Sequence, residues 1–291
     1  MARAGTNAPS GFRVGLHTAC ALLAFAANSV LCRLALGNGT IDAASFTAIR
    51  LTAGAAALWL LVRVVTPARD TRPRGDWASA AALCLYAVGF SFAYLSLSAG
   101  TGALVLFGAV QSTMILAGLR SGERPHPLQW AGLLAAAGGL VALVFPGLTA
   151  PSPAGAALMA VAGVAWGVYS LRGRGATDPI AVTADNFIRS VPLVLLVVLA
   201  TFRTAHLSPR GVWLAVLSGS LASGIGYVLW YAALRGLTAT RAATVQLAVP
   251  VLVAFAGVLF LAEAVSPRLI ISAILILGGV GLTLVGRNGA E

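Results

Sequence analysis

The sequence predicts an all-α membrane protein of ten transmembrane helices, built as two inverted five-helix repeats, and three observations carry that prediction. Apolar residues make up 59% of the 291 and charged residues 9%, against about 25% charged in a soluble domain. A soluble chain of this length would lack the polar surface to cover itself. Two stretches free of Asp, Glu, Lys and Arg, Trp77 to Leu119 and Pro125 to Leu171, run for 43 and 47 residues. At about 1.5 Å rise per residue and about 30 Å of hydrocarbon, each is long enough to cross twice. Finally, marked residues recur at an offset of roughly 140 positions, so the halves resemble each other.

Taken in order, the first span, 14–36, follows a short polar start from Met1 to Arg13 with no separate cleavable signal. The second covers 42–65. The third and fourth, 77–98 and 101–119, divide the first uncharged stretch at Ser98-Ala99-Gly100-Thr101-Gly102. The fifth and sixth, 128–145 and 154–172, divide the other between Pro146-Gly147 and Pro151-Ser152-Pro153. The remaining spans are 180–201, 211–234, 239–262 and 268–286, and loops are short except around 66–76 and 203–210. The first repeat is then 1–148 and the second 149–291, forming one integral membrane unit.

The net charge of +11 comes entirely from arginine, and topology explains it better than nucleic acid does. With a cytoplasmic amino terminus, thirteen arginines from Arg3 to Arg287 fall in inside segments. Only Arg203, Arg210 and Arg268 fall outside, which places both termini in the cytoplasm. Cys20, Cys32 and Cys84 lie in apolar stretches without metal-ligand spacing and read as small core residues. No cofactor or metal is expected. The partners expected are the bilayer and a small-molecule substrate, with the chain a monomer or weak homodimer.

The repeat is read from particular matches. A shift of 139 sets Arg33 on Arg172 and Arg50 on Arg189; a shift of 140 sets Glu123 on Glu263 and Gly138-Gly139 on Gly278-Gly279. Tyr94 meets Tyr231 at 137. Five spans is an odd number, so the second half must lie upside down relative to the first.

This pattern, with Ala48-Ile49-Arg50 and Phe187-Ile188-Arg189 in the second span of each half and Glu at the end of the fourth, resembles the drug/metabolite transporter superfamily. Within it the chain is most similar to EamA-type exporters, among them bacterial aromatic amino acid exporters. The resemblance covers essentially the whole chain. It implies residence in a bacterial cytoplasmic membrane and a central cavity lined by spans 1–4 and 6–9, with spans 5 and 10 peripheral.

Ionisable groups inside spans are the first candidates for chemistry, since a charge at the membrane centre costs at least about 2.5–3.5 kcal/mol. Asp185 stands one helical turn before Arg189 and can neutralise it, whereas Phe46 occupies that place before Arg50. Arg50 therefore needs a partner from another span or from backbone carbonyls. Two readings stay open for the arginines: tying helix ends together, or holding a substrate carboxylate. His17 reads as an interfacial histidine, and His17 and Asp185 are the groups to consider for proton coupling, with Glu123 and Glu263 near span ends. The small multidrug members of the superfamily use a first-span Glu, but Ala24 to Asn28 offers no acid here.

Aromatic and amide faces come next. Tyr86, Phe90, Tyr94 and Ser98 recur every four residues in the third span, and Ser220, Ser223, Tyr227 and Trp230 or Tyr231 share a face of the eighth. Trp166 with Tyr169 or Ser170 marks the sixth, and Gln111 and Gln246 the fourth and ninth. Hydroxyls and amides in lipid must find partners, so these faces point to a cavity or another helix. Trp77, Trp130 and Trp213, near span starts, suit interfacial anchoring. Pro250 removes the helical donor of the Gln246 carbonyl and predicts a kink there; Pro192 does the same for Ile188. Gly132, Gly138-Gly139, Gly278-Gly279 and Gly281 allow close approach of spans 5 and 10.

The expected substrate site is Asn28, Tyr86, Tyr94, Gln111, Trp166, Tyr169, Tyr227, Tyr231 and Gln246, with His17, Arg50, Asp185, Arg189 and Pro250 as structural or coupling residues. The expected function is secondary export of small metabolites, most of all amino acids, aromatic ones among them. Alternatives in the same fold are a proton-coupled exporter of drugs or other metabolites and a nucleotide-sugar-type exchanger. An enzyme is not expected, because Asp185 has no second deep acid facing it and the sequence carries no His-rich metal motif.

Overall fold

Serine and aspartate caps, three of them followed by proline, set the helix starts. Asp76, Ser98, Ser152, Asp178 and Ser208 each accept a hydrogen bond from the backbone N–H three residues on. Pro153, Pro179 and Pro209 occupy first helical positions, where a missing N–H costs nothing. The computed structural model describes residues 11–65, 75–122, 127–144, 151–174, 176–237, 239–246 and 248–285. Glu123 lies outside these, as do the loop and terminal arginines Arg3, Arg69, Arg72, Arg74, Arg124 and Arg287.

The helices are α1 (Gly11–Gly37), α2 (Ala43–Val65), α3 (Trp77–Ala93), α4 (Ala99–Arg120), α5 (Pro127–Val144), α6 (Pro153–Gly173) and α7 (Pro179–Thr201). Helix α8 runs from Pro209 to Leu217, widens into a π-helical stretch over Ser218–Ile225, and continues over Gly226–Leu234. Helix α9 comes in two pieces, Ala239–Val245 and Ala248–Leu261, and α10 spans Pro267–Val285. The fold is all-α. Its single strand-like pairing among the described residues is an isolated antiparallel bridge between Ile41 and Leu207.

Counting the described residues alone, seven of these helices are long and apolar enough to cross a membrane: α1, α2, α4, α6, α7, α8 and α9. The ten membrane-length spans of the sequence reading are therefore not all present at that length. Helix α3 and the apolar parts of α5 and α10 are shorter. The third helix stops at Ala93 rather than 98, because Tyr94 closes its last turn and Ser98 is already capping α4. Ser98 accordingly leaves the tyrosine face on which its spacing placed it.

Packing divides the helices into a core and a side pair. Helices α5 and α10 lie along each other and touch the rest chiefly through α4 and α9. Gly279 sits against the Gly132 carbonyl and Gly139 against Leu275 and Ile276, so no Cβ fits at either. Gly138, Gly278 and Gly281 instead face open space and contribute nothing to this seam. In the core, α2 packs on α7, α4 on α9, α1 on α8 and α9, and α6 on α3 and α4. Cys32 and Cys84 are buried, but Cys20 is exposed on the outer face of α1, contrary to its reading as a core residue. Trp77, Trp130 and Trp213 are all exposed near helix starts.

Candidate functional site

Arg50 forms the centre of a polar cluster deep between α1, α2, α3 and α8. It is fully buried. Its Nε donates to Ser223 Oγ (3.0 Å), and one terminal nitrogen donates to both Tyr227 Oη (2.8 Å) and Tyr86 Oη (3.2 Å). Asn28 Nδ2 donates to Tyr86 Oη (3.2 Å), while Asn28 Oδ1 accepts from Ser218 Oγ (2.6 Å). The guanidinium also lies 5.2 and 5.1 Å from the ring centres of Tyr86 and Phe90. The sequence required Arg50 to find partners on other spans, and these are hydroxyls. No carboxylate pairs with it among the described residues.

The π-helical stretch delivers two of these hydroxyls. Backbone bonding to the fifth residue on shifts the register of α8, so Ser218 and Ser223 reach the cluster while Ser220 bonds its own helix at Val216. Ser220 thus departs from the face predicted for it. Close approach of α8 to α2 depends on Gly219, which sits on the Arg50 carbonyl, and on Gly54, which faces the Gly219 carbonyl and also meets Phe187 of α7.

An aromatic cluster continues from the tyrosines. Trp166 lies 4.6 Å from Tyr227, 5.0 Å from Tyr86, 5.3 Å from Phe25 and 5.6 Å from Tyr169, centre to centre. Its indole N–H donates to Gln246 Oε1 (2.9 Å), and Gln246 Nε2 donates to the Ala242 carbonyl (3.1 Å). Helix α9 breaks at Gln246, as Pro250 predicts, yet the Gln246 carbonyl is not freed: it accepts from the Val249 N–H (3.0 Å). A cavity of about 10 Å³, close to one water, lies among Phe25, Ser29, Tyr86, Phe90, Leu106, Phe107 and Trp166.

Of the nine expected substrate residues, Tyr86 and Trp166 line this cavity. Asn28 and Tyr227 join the Arg50 cluster, and Gln246 holds Trp166. Gln111 donates to the Ala243 carbonyl across to α9. Tyr94 is drawn away to the α3–α4 turn, where its hydroxyl donates to the Ala99 carbonyl. Tyr231 donates to the Tyr169 carbonyl and stacks on that ring at 5.2 Å. His17 is half-buried near the start of α1, and Pro250 is buried just beyond the α9 break. Sequence reasoning missed Phe25, Ser29, Leu106, Phe107 and Ser218. Six of the seven residues from Ser218 to Gly224 are small, which suits close packing, but that composition does not announce a π register.

Polar ties close the bundle at both ends of the core helices. At the α1–α2 end, Glu263 accepts from the Ala99 N–H with both oxygens (2.9 Å each) and from Arg33 Nε (3.4 Å). Nearby, Asp42 accepts from the backbone N–H of Ser45 and His206, and Ser208 N–H donates to the Thr40 carbonyl. Burial raises the Asp42 carboxyl, but the bonds from Ser45 and His206 outweigh it and hold it below the ordinary carboxylate range.

At the α2–α3 end, Arg172 donates to Asp76 (2.8 Å) and Ser79 (2.9 Å), and Asp185 accepts from the Gly75 N–H (2.8 Å). Partial burial raises the Asp76 carboxyl, yet bonds from Ser79 and Arg172 bring it below its usual range. Arg189 pairs with Asp185 at 3.1 Å and lies over Trp77 at 5.3 Å. Arg50 and Arg189, matched in sequence, thus sit in unlike surroundings.

The sequence profile of the EamA-like transporter family matches residues 15–145 and again 153–285. The chain is 51% identical to the uncharacterized protein PA1977 of Pseudomonas aeruginosa over 281 residues, 95% of this chain and 96% of that one. A crystal structure that is 21% identical shares the fold with a TM-score of 0.70, over 96% of this chain and 98% of the other. A membrane transport protein is what the two profile matches and the apolar helices together describe: the chain belongs to the EamA-like transporter family.

Proposed function

We propose that this protein is a secondary exporter of small metabolites, amino acids foremost and aromatic ones among them, working by alternating access in a bacterial cytoplasmic membrane. In this reading all ten helices span, residues 1–148 and 149–291 are inverted repeats, and both termini are cytoplasmic. The arginine asymmetry between the two sides supports that orientation. Two features support the repeats. The family profile matches twice, and the packing is reciprocal under exchange of halves: α1 with α8 mirrors α6 with α3, and α2 with α8 mirrors α7 with α3.

The observation that carries the reading is the buried aromatic and amide cluster built from both halves, Phe25 and Tyr86 against Trp166, Tyr227 and Gln246. Such a lining suits a flat, partly apolar molecule with a polar head. The polar ties at either end are the elements that would open in turn.

Export or counterflow in proteoliposomes across amino acids, quaternary amines and nucleosides, with and without a pH gradient, tests it. Saturable counterflow of an amino acid is expected. Trp166→Ala and Gln246→Ala should each slow transport about tenfold or more, the scale of one lost buried hydrogen bond with its contacts, while the protein stays folded. Wild-type rates from both would remove these residues from the site. Asp185→Asn should leave any pH-gradient dependence unchanged, because Asp185 is engaged with Gly75 and Arg189.

A further inference from the structure

The Arg50 cluster is rich in donors and, among the described residues, includes no carboxylate. A guanidinium carries five N–H donors. Three are used, by Ser223, Tyr86 and Tyr227, all neutral acceptors. The remaining terminal nitrogen, with two N–H groups, is buried and has no hydrogen-bond partner. A permanently charged group kept fully buried against hydroxyls and ring faces lacks the compensation that buried charges ordinarily find in a carboxylate. Two other arginines within the helices do find one, Arg33 in Glu263 and Arg189 in Asp185.

The uncompensated charge also adjoins the water-sized cavity beside Trp166. Tyr86 and Phe90, the rings against which the guanidinium lies, both line it. Tyr86 thus stands between the cavity and the guanidinium, touching both.

From this geometry we propose that Arg50 is the binding group for an anionic head on the transported molecule, of the carboxylate class, which takes the two unused N–H donors. The proposal deepens the transport reading and rests on it for the identity of the ligand as cargo. Nucleosides and quaternary amines, which bring no anion, are then poor ligands. Arg50 also differs from its sequence counterpart: Arg189 is already neutralised by Asp185 and carries no such role.

The test is thermal unfolding of the purified protein in detergent with matched probes. The acids are acetate, 3-phenylpropionate, indole-3-acetate, L-phenylalanine and L-leucine, and each is compared with its amide and, where one exists, its amine. At least one acid at saturating concentration should raise Tm by about 2–4 °C, and its amide should not. Arg50→Gln should abolish the shift, and Arg50→Lys should weaken binding about tenfold by losing the planar fork. Equal shifts from acid and amide, shifts from amines alone, or no shift from any acid would overturn the proposal and leave Arg50 a structural cation. If Arg50→Gln fails to fold, the wild-type acid and amide pairs together with Arg50→Lys still decide. Binding is read here without transport. A protein that binds acids through Arg50 yet moves nothing would sink the transport reading alone.

Discussion

Glu263 does three jobs with one carboxylate: it caps α4 at Ala99, pairs with Arg33, and joins α9 to the α3–α4 turn, where Arg33 also donates to the Tyr94 carbonyl. A negative charge at a helix amino terminus is favourable in itself. Glu263→Ala should cost about 1–3 kcal/mol, since it strands a backbone donor and half-exposes a cation's partnerless edge. Glu263→Gln, which still accepts from Ala99, should cost less than half of that. Unfolding in a denaturing detergent series measures both. Asp42 belongs to the same end of the bundle. Its carboxyl is held below the usual range, so its contribution is complete at neutral pH and disappears as acidity carries the solution down through its folded value. Protection of the Ser45 and His206 amides, taken relative to their intrinsic exchange, should fall over that interval, and in Asp42→Ala, which leaves no acceptor, it should already be low at pH 7.

At the level of elements, α8 is the helix whose behaviour its pattern conveyed least. Its apolar length and the tyrosine end of its face were legible, but the π stretch was not, because periodicity assumes one register throughout. Gly219→Ala tests that segment. An added Cβ would collide with the Arg50 backbone, and helix α8 could respond only by leaving α2. The variant should lose about 1–3 kcal/mol and its monodisperse gel-filtration peak, while Gly278→Ala, facing open space, should change neither. The α9 break illustrates the opposite case. Pro250 announced it plainly, and only the fate of the Gln246 carbonyl was misjudged, because a tighter turn to Val249 recaptures it. The Arg33–Glu263 contact crosses 230 residues, a separation no local spacing conveys. Its trace was present in the repeat offset, which set both residues apart without saying what they touched. Helix ends at Tyr94 and Ala99 were misplaced for a third reason: Ser98 serves as a cap, and a cap and a face residue look alike in a four-residue pattern.

For the molecule as a whole, both ends of the core are tied across the two halves of the chain. If transport requires these ties to part in turn, fixing either one should stop it. In a background lacking Cys20, Cys32 and Cys84, the pair Ile41→Cys and Leu207→Cys replaces an antiparallel bridge whose backbone spacing suits a disulfide. At the other end, Gly75→Cys with Asn186→Cys joins positions where a Cβ on residue 75 would lie 3.0 Å from the Asn186 nitrogen. Oxidation of either pair should abolish vesicle uptake, and reductant should restore it; full activity in an oxidised pair would show that end to be static. The indole of Trp166 has one further use. It is hydrogen-bonded to an amide and ringed by Phe25, Tyr86, Tyr169 and Tyr227, so its emission colour and brightness depend on that cage staying shut. A version of the protein retaining this single tryptophan would be a built-in optical gauge, brightening or dimming as cargo wedges the rings apart, with no label added and no vesicle required.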